Sequence, residues 1–247
     1  GTVTINSALP TGGTNFQNFT DAVNTLMACG IDGPVVFDVA PGSGPYNEQV
    51  IIPAITGASA TNTITFNGNG ATLSYLSTNT NERAVIKLNG ADYVKFKNLT
   101  ITAKGATTGQ YGFGVQLLND ADYNTIDNCT INIDQASTSQ DFAGIVVRAS
   151  ATSATGSGAT QCDNNTFSNN TIAGGHYGIT LVGTSLVANQ NNKILNNTIK
   201  EFYSYGIYVF ASSSTQIEGN TFTRPGRTTV GDFYGVSFNN LNSLITL

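Results

Sequence analysis

Leu88-Asn89-Gly90-Ala91-Asp92-Tyr93, continuing as Val94-Lys95-Phe96-Lys97-Asn98-Leu99-Thr100-Ile101, has a counterpart thirty positions later. There the chain reads Leu118-Asn119-Asp120-Ala121-Asp122-Tyr123, then Asn124-Thr125-Ile126-Asp127-Asn128-Cys129-Thr130-Ile131. The second half of the unit returns at Phe167 to Ile172, Ile194 to Ile199 and Ile217 to Phe222. In each, an apolar residue is followed three positions on by Asn170, Asn197 or Asn220, then by Thr and another apolar residue. Short alternating segments that recur at such a period between Asn and Gly turns mark a solenoid of stacked coils.

A second repeat interleaves with the first. Tyr111-Gly112-Phe113, Ala143-Gly144-Ile145, Tyr177-Gly178-Ile179, Tyr205-Gly206-Ile207 and Tyr234-Gly235-Val236 each open an alternating strand. Each coil therefore has at least two strands, pairing in parallel with those of the next coil about 4.8 Å away. Aligning the glycines predicts two inward columns. One is Phe113, Ile145, Ile179, Ile207 and Val236; the other is Val115, Val147, Leu181, Val209 and Phe238. Asn170, Asn197 and Asn220 should stack at a corner and bond along the axis, as Asn ladders do. The longest excursion, Ala149 to Thr160, reads as a loop rich in Ala, Ser, Thr and Gly.

Ahead of the coils, Phe16, Phe19, Val23 and Leu26 fall at helical spacing, which predicts an amphipathic helix over Asn15 to Ala28. A solenoid needs a cap over its first coil, and this helix fits that role. The chain is read as one all-β parallel β-helix domain, 1–247, with a cap region at 1–34 and coils over 35–247.

Composition narrows the function. Charged residues make up 10% of the 247 residues and the formal charge is −5. The ten basic residues form no stripe that would follow a phosphate backbone, so nucleic acid is not an expected partner. No apolar run approaches the roughly 20 residues that cross a bilayer, so no membrane insertion is expected. The chain starts at Gly1 and ends in Leu244-Ile245-Thr246-Leu247, which reads as a strand. An excised or processed piece, linked to further domains of a secreted or cell-surface protein, is the expectation. Cys29, Cys129 and Cys162 lack metal-ligand spacing. They read as three packed thiols, with a disulfide left open.

The helix, Val35 to Val39, Pro41-Gly42, Gly44-Pro45-Tyr46-Asn47-Glu48, Ile64-Thr65-Phe66 and the Asn-Thr-Ile coils together resemble the pectin-lyase-like right-handed β-helix superfamily. The opening is similar to that of pectin methylesterases, where a Gly-x-Tyr-x-Glu motif follows a Pro-Gly-like turn. The resemblance spans nearly the whole chain and implies the fold. It leaves activity open, because the superfamily holds lyases, hydrolases, esterases, epimerases and non-catalytic adhesins.

Each branch demands particular groups. An esterase of this kind needs two facing aspartates and an arginine. Asp141 and Asp232 are the nearest candidates, but the repeats put them three coils, about 14 Å, apart. A lyase needs a basic residue and a means of neutralising a uronate, and Arg148, Lys87 and Lys104 do not cluster. A hydrolase needs close carboxylates, and no acidic pair falls in adjacent coils. Asp92, Asp120, Asp122 and Asp127 make oxygen-rich turns of the type Ca²⁺ takes. Carboxylates that cap backbone are the commoner reason for such turns, and no resident cofactor is expected.

The aromatics remain. Tyr111, Tyr177, Tyr205 and Tyr234 form one predicted column, while Tyr208 and Phe210 alternate with inward Ile207 and Val209 and so face outward. Arg148, Gln116 and Asn239 fall in the outward column of Phe210, and His176 reads as a hydrogen-bonded surface histidine beside the strand entrance. Sugar rings stack on aromatic faces, and tyrosine adds a hydroxyl. Tyr208, Phe210, Arg148, Asn239, Tyr205 and His176 are thus the candidate carbohydrate-binding residues. The expected function is a non-catalytic module that binds polysaccharide or serves in adhesion. A polysaccharide lyase or glycoside hydrolase, and a purely structural stalk, are the alternatives.

Overall fold

A computed structural model describes residues 1–148, 150–156, 161–184, 186–239 and 245–246. The excursion predicted at Ala149 to Thr160 is thus described only over 150–156, and the strand predicted at Leu244 to Leu247 only at Ile245–Thr246.

Each coil carries three strands, within the expectation of at least two. Among the described residues they assemble into parallel sheets of ten, seven and seven strands, plus one small pair. The first sheet takes Val35–Val39, Ile64–Asn67, Val94–Lys97, Thr125–Asp127 and their successors. The second takes Tyr46–Asn47, Thr72–Tyr75, Thr100–Ala103, Thr130–Asn132, Thr171–Ala173, Thr198–Lys200 and Thr221–Thr223. The third takes Val50–Pro53, Ala84–Asn89, Gly112–Leu118, Phe142–Arg148, Tyr177–Val182, Tyr205–Phe210 and Tyr234–Asn239. First and second sheets meet at very tight corners. There Asn98, Asn128, Asn169 and Asn196 take φ between 50° and 56°, the left-handed region that asparagine tolerates better than most residues.

Inward residues stack by type. Phe37, Phe66 and Phe96 lie parallel with centroids 4.8 Å apart, and Ile126, Phe167, Ile194 and Ile217 continue that column. Next to it runs the predicted asparagine ladder. Asn197 Oδ1 accepts from the backbone N–H and the amide of Asn170, at 2.9 and 3.0 Å. Asn220 Oδ1 does the same for Asn197, at 2.9 Å each. A second ladder, which the repeats did not announce, runs through Asn124, Asn165 and Asn192, each Oδ1 accepting a backbone N–H from the preceding coil.

The third sheet corrects the predicted register at one strand. Phe113 pairs with Ala143, and Val115 with Ile145. The glycine aligned with Gly144, Gly178, Gly206 and Gly235 is therefore Gly114, not Gly112. The inward columns are Val115, Ile145, Ile179, Ile207, Val236 and Leu117, Val147, Leu181, Val209, Phe238. Phe113 belongs to the outward column with Ala143, Tyr177, Tyr205 and Tyr234, and Tyr111 lies outside it, bridged to Ser77. The glycine column has a steric cause. A Cβ at Gly178 would stand 2.3 Å from Ile199 Cγ2 and 2.5 Å from Gly206 O, and a Cβ at Gly144 would be equally blocked by Ile172 and Gly178.

The helix is shorter than predicted and runs over Phe19–Cys29; Asn15–Phe16 is instead a two-residue strand. Asn18 caps it by accepting from Asp21 N at 2.7 Å. Glu48, from the Gly-Pro-Tyr-Asn-Glu run, accepts from Phe19 N at 3.0 Å and Thr20 N at 2.9 Å. A carboxylate meeting free N–H groups at a helix start is favourable both as hydrogen bond and as charge. Phe19, Ala22, Val23 and Leu26 are buried, and Phe19 meets Tyr46 edge-on at 5.1 Å. Cys129 and Cys162 are buried free thiols, but Cys29 is exposed, so only two of the three pack inside.

Candidate carbohydrate-binding face

The outward side of the third sheet gathers aromatic rings towards its last coils. Tyr177 stacks on Tyr205 at 5.4 Å, and Tyr205 on Tyr234 at 4.9 Å with 12° between planes. Exposure rises along the row, from 3% at Tyr177 through half-buried Tyr205 to 41% at Tyr234. Tyr208 stands edge-on to Tyr177 and Tyr205, at 5.9 and 5.4 Å. It is half-buried, so the ring packs against its neighbours while keeping part of its surface in solvent. Phe210 is also half-buried and Asn239 is exposed.

Pairing fixes the columns. Arg148, Val182, Phe210 and Asn239 share one, as predicted for Arg148 and Asn239. The backbone of Arg148 is placed there, and its side chain lies outside the described residues. Gln116 belongs to the neighbouring column with Val146, Thr180, Tyr208 and Ser237, the consequence of the shifted strand. Thr180 faces outward yet is fully buried, while Gln116 two coils earlier donates to Ser150 O and Ala151 O and Ala154 packs on Phe113, Ala143, Val146 and Tyr177.

His176 is not a surface residue. It is 8% exposed, its Nδ1 lies 2.8 Å from Thr138 O, and its ring meets Tyr177 at 4.5 Å and Tyr203 at 5.1 Å. Burial pushes its pKa down, the Thr138 contact works against that, and Arg227 adds to the fall. It braces the tyrosine row from behind.

Sequence reasoning missed the groups that hold the open end of this face. Arg224 lies over Phe233 at 4.8 Å and donates to Tyr203 O at 2.6 Å and Gly231 O at 3.1 Å. Arg227 donates to Thr229 O, Glu201 O and Ser137 O, at 2.7, 2.7 and 2.6 Å. These bonds pin the turn that presents Phe233, 49% exposed, beside Tyr234. The only signal in the sequence was two arginines around Pro225-Gly226, whose donors had to find acceptors somewhere.

A separate polar cleft of about 580 Å³ opens between residues 106–110 and 136–142. Among the described residues Asp141 is the one ionisable group lining it, and it is paired with Arg83. Asp232 precedes a strand three coils further on, as the repeats required. Lys87 is paired with Glu82, and Lys104 with Asn47.

At another corner Asp92, Asp122 and Asp163 stack, each carboxylate accepting a backbone N–H from the following coil at 2.7–2.8 Å. Burial raises all three pKa values, that of Asp122 to about 6; backbone bonding lowers them, and neighbouring aspartates raise them further. Backbone capping thus occupies one oxygen of each carboxylate. Among the described residues no three His, Cys, Asp or Glu side chains converge as a metal site.

Residues 62–245, well over half the chain, match the family described as the right handed beta helix region. This chain belongs to the right-handed β-helix family. The Escherichia coli YbhC structure superposes on 98% of the chain and 71% of its own length, with a TM-score of 0.62 at 13% identity. The rice weevil pectin methyl esterase superposes on 90% of the chain and 67% of its own, with a TM-score of 0.50 at 16% identity. At such identities the likeness is one of fold. No protein of curated function matches the chain in sequence.

Proposed function

We propose that this right-handed β-helix is a non-catalytic, secreted or cell-surface module that contacts polysaccharide along the outward face of its third sheet. The observation that carries the reading is the Tyr177–Tyr205–Tyr234 row, stacked one coil apart and increasingly exposed towards its end. Tyr208 and Phe210 stand on the strand of Tyr205, with Ser237 and Asn239 on the next. Flat rings accept the C–H faces of sugars, and the phenols, Ser237 and Asn239 offer hydrogen bonds to hydroxyls. The face is open and shallow, so affinity comes from several weak contacts along a polymer and not from a closed pocket.

The non-catalytic part of the proposal is supported by the state of the ionisable groups near this sheet. Asp141 and Lys87 are each committed to an ion pair, and His176 is committed to Thr138 and the tyrosine row. The test is affinity electrophoresis in gels holding soluble plant, algal and bacterial polysaccharides, beside reducing-end and unsaturated-product assays on the same polymers. Retardation without product is the expected result. Product formation would assign the chain to the lyases or hydrolases, and no retardation in any gel would favour the structural stalk.

A further inference from the structure

Tyr93 and Tyr123 hold the same corner position in successive coils, between the third sheet and the first, and both have φ of 58°. The column continues as Asn164, Asn191 and Ser214, at φ 58°, 55° and 51°. This is the left-handed region, which short polar side chains enter readily and bulky ones only at a cost. Tyrosine at two places where the column elsewhere takes Asn or Ser is a departure that the fold does not require, and such departures gather at functional sites.

The two rings stack at 4.9 Å with 6° between planes. Tyr93 is half-buried, while Tyr123 is 46% exposed. Their separation is one coil, so the stack runs along the solenoid axis. One face of Tyr123 rests on Tyr93. Its other face looks towards the coil of Asn164, where a short side chain stands in place of a third ring.

Carboxylates line this corner. Asp92, Asp122 and Asp163 immediately precede Tyr93, Tyr123 and Asn164. One oxygen of each accepts a backbone N–H, and the second oxygen has no bond to a described residue. The Asp120 carboxylate accepts from Gln161 N at 3.2 Å. The four lie close enough that Asp163, Asp92 and Asp120 add to the rise in pKa that burial gives Asp122. Burial and then Tyr123, Asp92 and Asp122 raise the pKa of the Tyr93 phenol, which sets these carboxylates beside the rings. Over residues 90–95, 120–125 and 161–166 these four aspartates face a single lysine, Lys95.

We propose that the free face of Tyr123 is a binding site for an amino-sugar residue of a cationic polysaccharide, its ring stacked on the tyrosine and its ammonium group between Asp122 and Asp163. The C–H face of a sugar suits an aromatic face, a cation beside the ring adds to the attraction, and ammonium–carboxylate bonds are the strong kind. A uronate would meet repulsion from the same carboxylates. The site is separate from the aromatic row of the third sheet: Tyr205 and Tyr234 open their strands, whereas Tyr123 lies beyond the end of Gly112–Leu118.

The test is calorimetric titration with soluble chitosan oligomers, fully acetylated chitin oligomers and oligolysine, at a pH just above the Asp122 pKa of about 6. The wild type should bind the chitosan oligomers, and the other two at least about tenfold more weakly. Tyr93→Asn combined with Tyr123→Asn removes both rings and suits the left-handed backbone. It should lose binding by about tenfold or more, with the melting temperature unchanged or raised. Asp122→Asn keeps an acceptor for Asp163 N and loses the charge, so it should bind chitosan about tenfold more weakly. Phe210→Ala combined with Tyr234→Ala should bind chitosan as the wild type does. Loss of chitosan binding in that variant would assign it to the third-sheet face and overturn this inference while leaving the proposed function standing. Absence of chitosan binding by the wild type, or a tyrosine double variant that binds normally or melts clearly lower, overturns it too. Equal affinity for acetylated oligomers overturns the cationic class, and equal affinity for oligolysine reduces the site to charge alone.

Discussion

Asn170 shows how one side chain secures three coils. Its Oδ1 accepts from Cys129 N at 2.9 Å, and its amide donates to Ile126 O at 2.9 Å and Asn197 Oδ1 at 3.0 Å. All of this is buried, so Asn170→Ala should destabilise by about 1–3 kcal/mol for each group it strands, read by urea unfolding. Ile179, fully buried between Ile145 and Ile207, should cost about 2–5 kcal/mol on mutation to Ala; a loss under about half a kcal/mol would put it outside the core. Asp122 titrates differently in the folded chain. Its pKa rises from 3.8 to about 6, first through burial, so the folded state binds more protons than the unfolded state between those values. Its stabilising contribution is full below pH 3.8 and is lost as pH rises through about 6. The melting temperature should therefore gain from Asp122 as pH falls from 7 towards 4, and Asp122→Asn should remove that gain; an unaltered pH dependence would exclude Asp122 as a contributor. The Asn170 ladder could be read directly, because Asn recurs at one place in three coils. The Asn124 ladder stands one place ahead of the strands that begin at Thr125, Thr166 and Lys193, flanked in its column by Val94 and Thr215.

At the scale of elements, the cap is held by Glu48. With Phe19 N and Thr20 N as donors, Glu48→Ala should lower stability by about 0.5–2 kcal/mol, the range of a lost helix cap, and Glu48→Gln by less. Removing residues 1–34 exposes the first coil and its strand edges, which recruit other chains; sedimentation should show aggregates, and a soluble monomer would contradict the capping role. The helix was legible from Phe19, Val23 and Leu26, but its start was not, because Phe16 continues the apolar spacing while its backbone pairs with Ile5. The register slip at Gly112 has a similar origin. Tyr111-Gly112-Phe113 and Phe113-Gly114-Val115 both satisfy an aromatic-Gly-apolar pattern, and only contact with Ile131 and Gly144 selects Gly114. Spacing alone carries no information about that choice.

For the molecule as a whole, three sheets of short strands and one helix of eleven residues should give far-UV circular dichroism dominated by β-structure. The long axis was written in the repeats, since every coil must bury its apolar columns on its neighbours. The candidate face was only half legible. Alternation around Ile207 and Val209 placed Tyr205, Tyr208 and Phe210 on one strand, but the packing of Ala154 on Phe113 and Tyr177 and the arginine-pinned turn at 224–233 arise from loops without a period. Polysaccharide contact through the open aromatic end is the claim on which the functional reading depends. Phe210→Ala combined with Tyr234→Ala removes one half-buried and one exposed ring near the end of the solenoid, so the fold should survive the change. Affinity electrophoresis in the polysaccharide that best retards the wild type should show the double variant migrating as freely as in a blank gel, with its melting temperature nearly unchanged. Retardation equal to that of the wild type would contradict the claim.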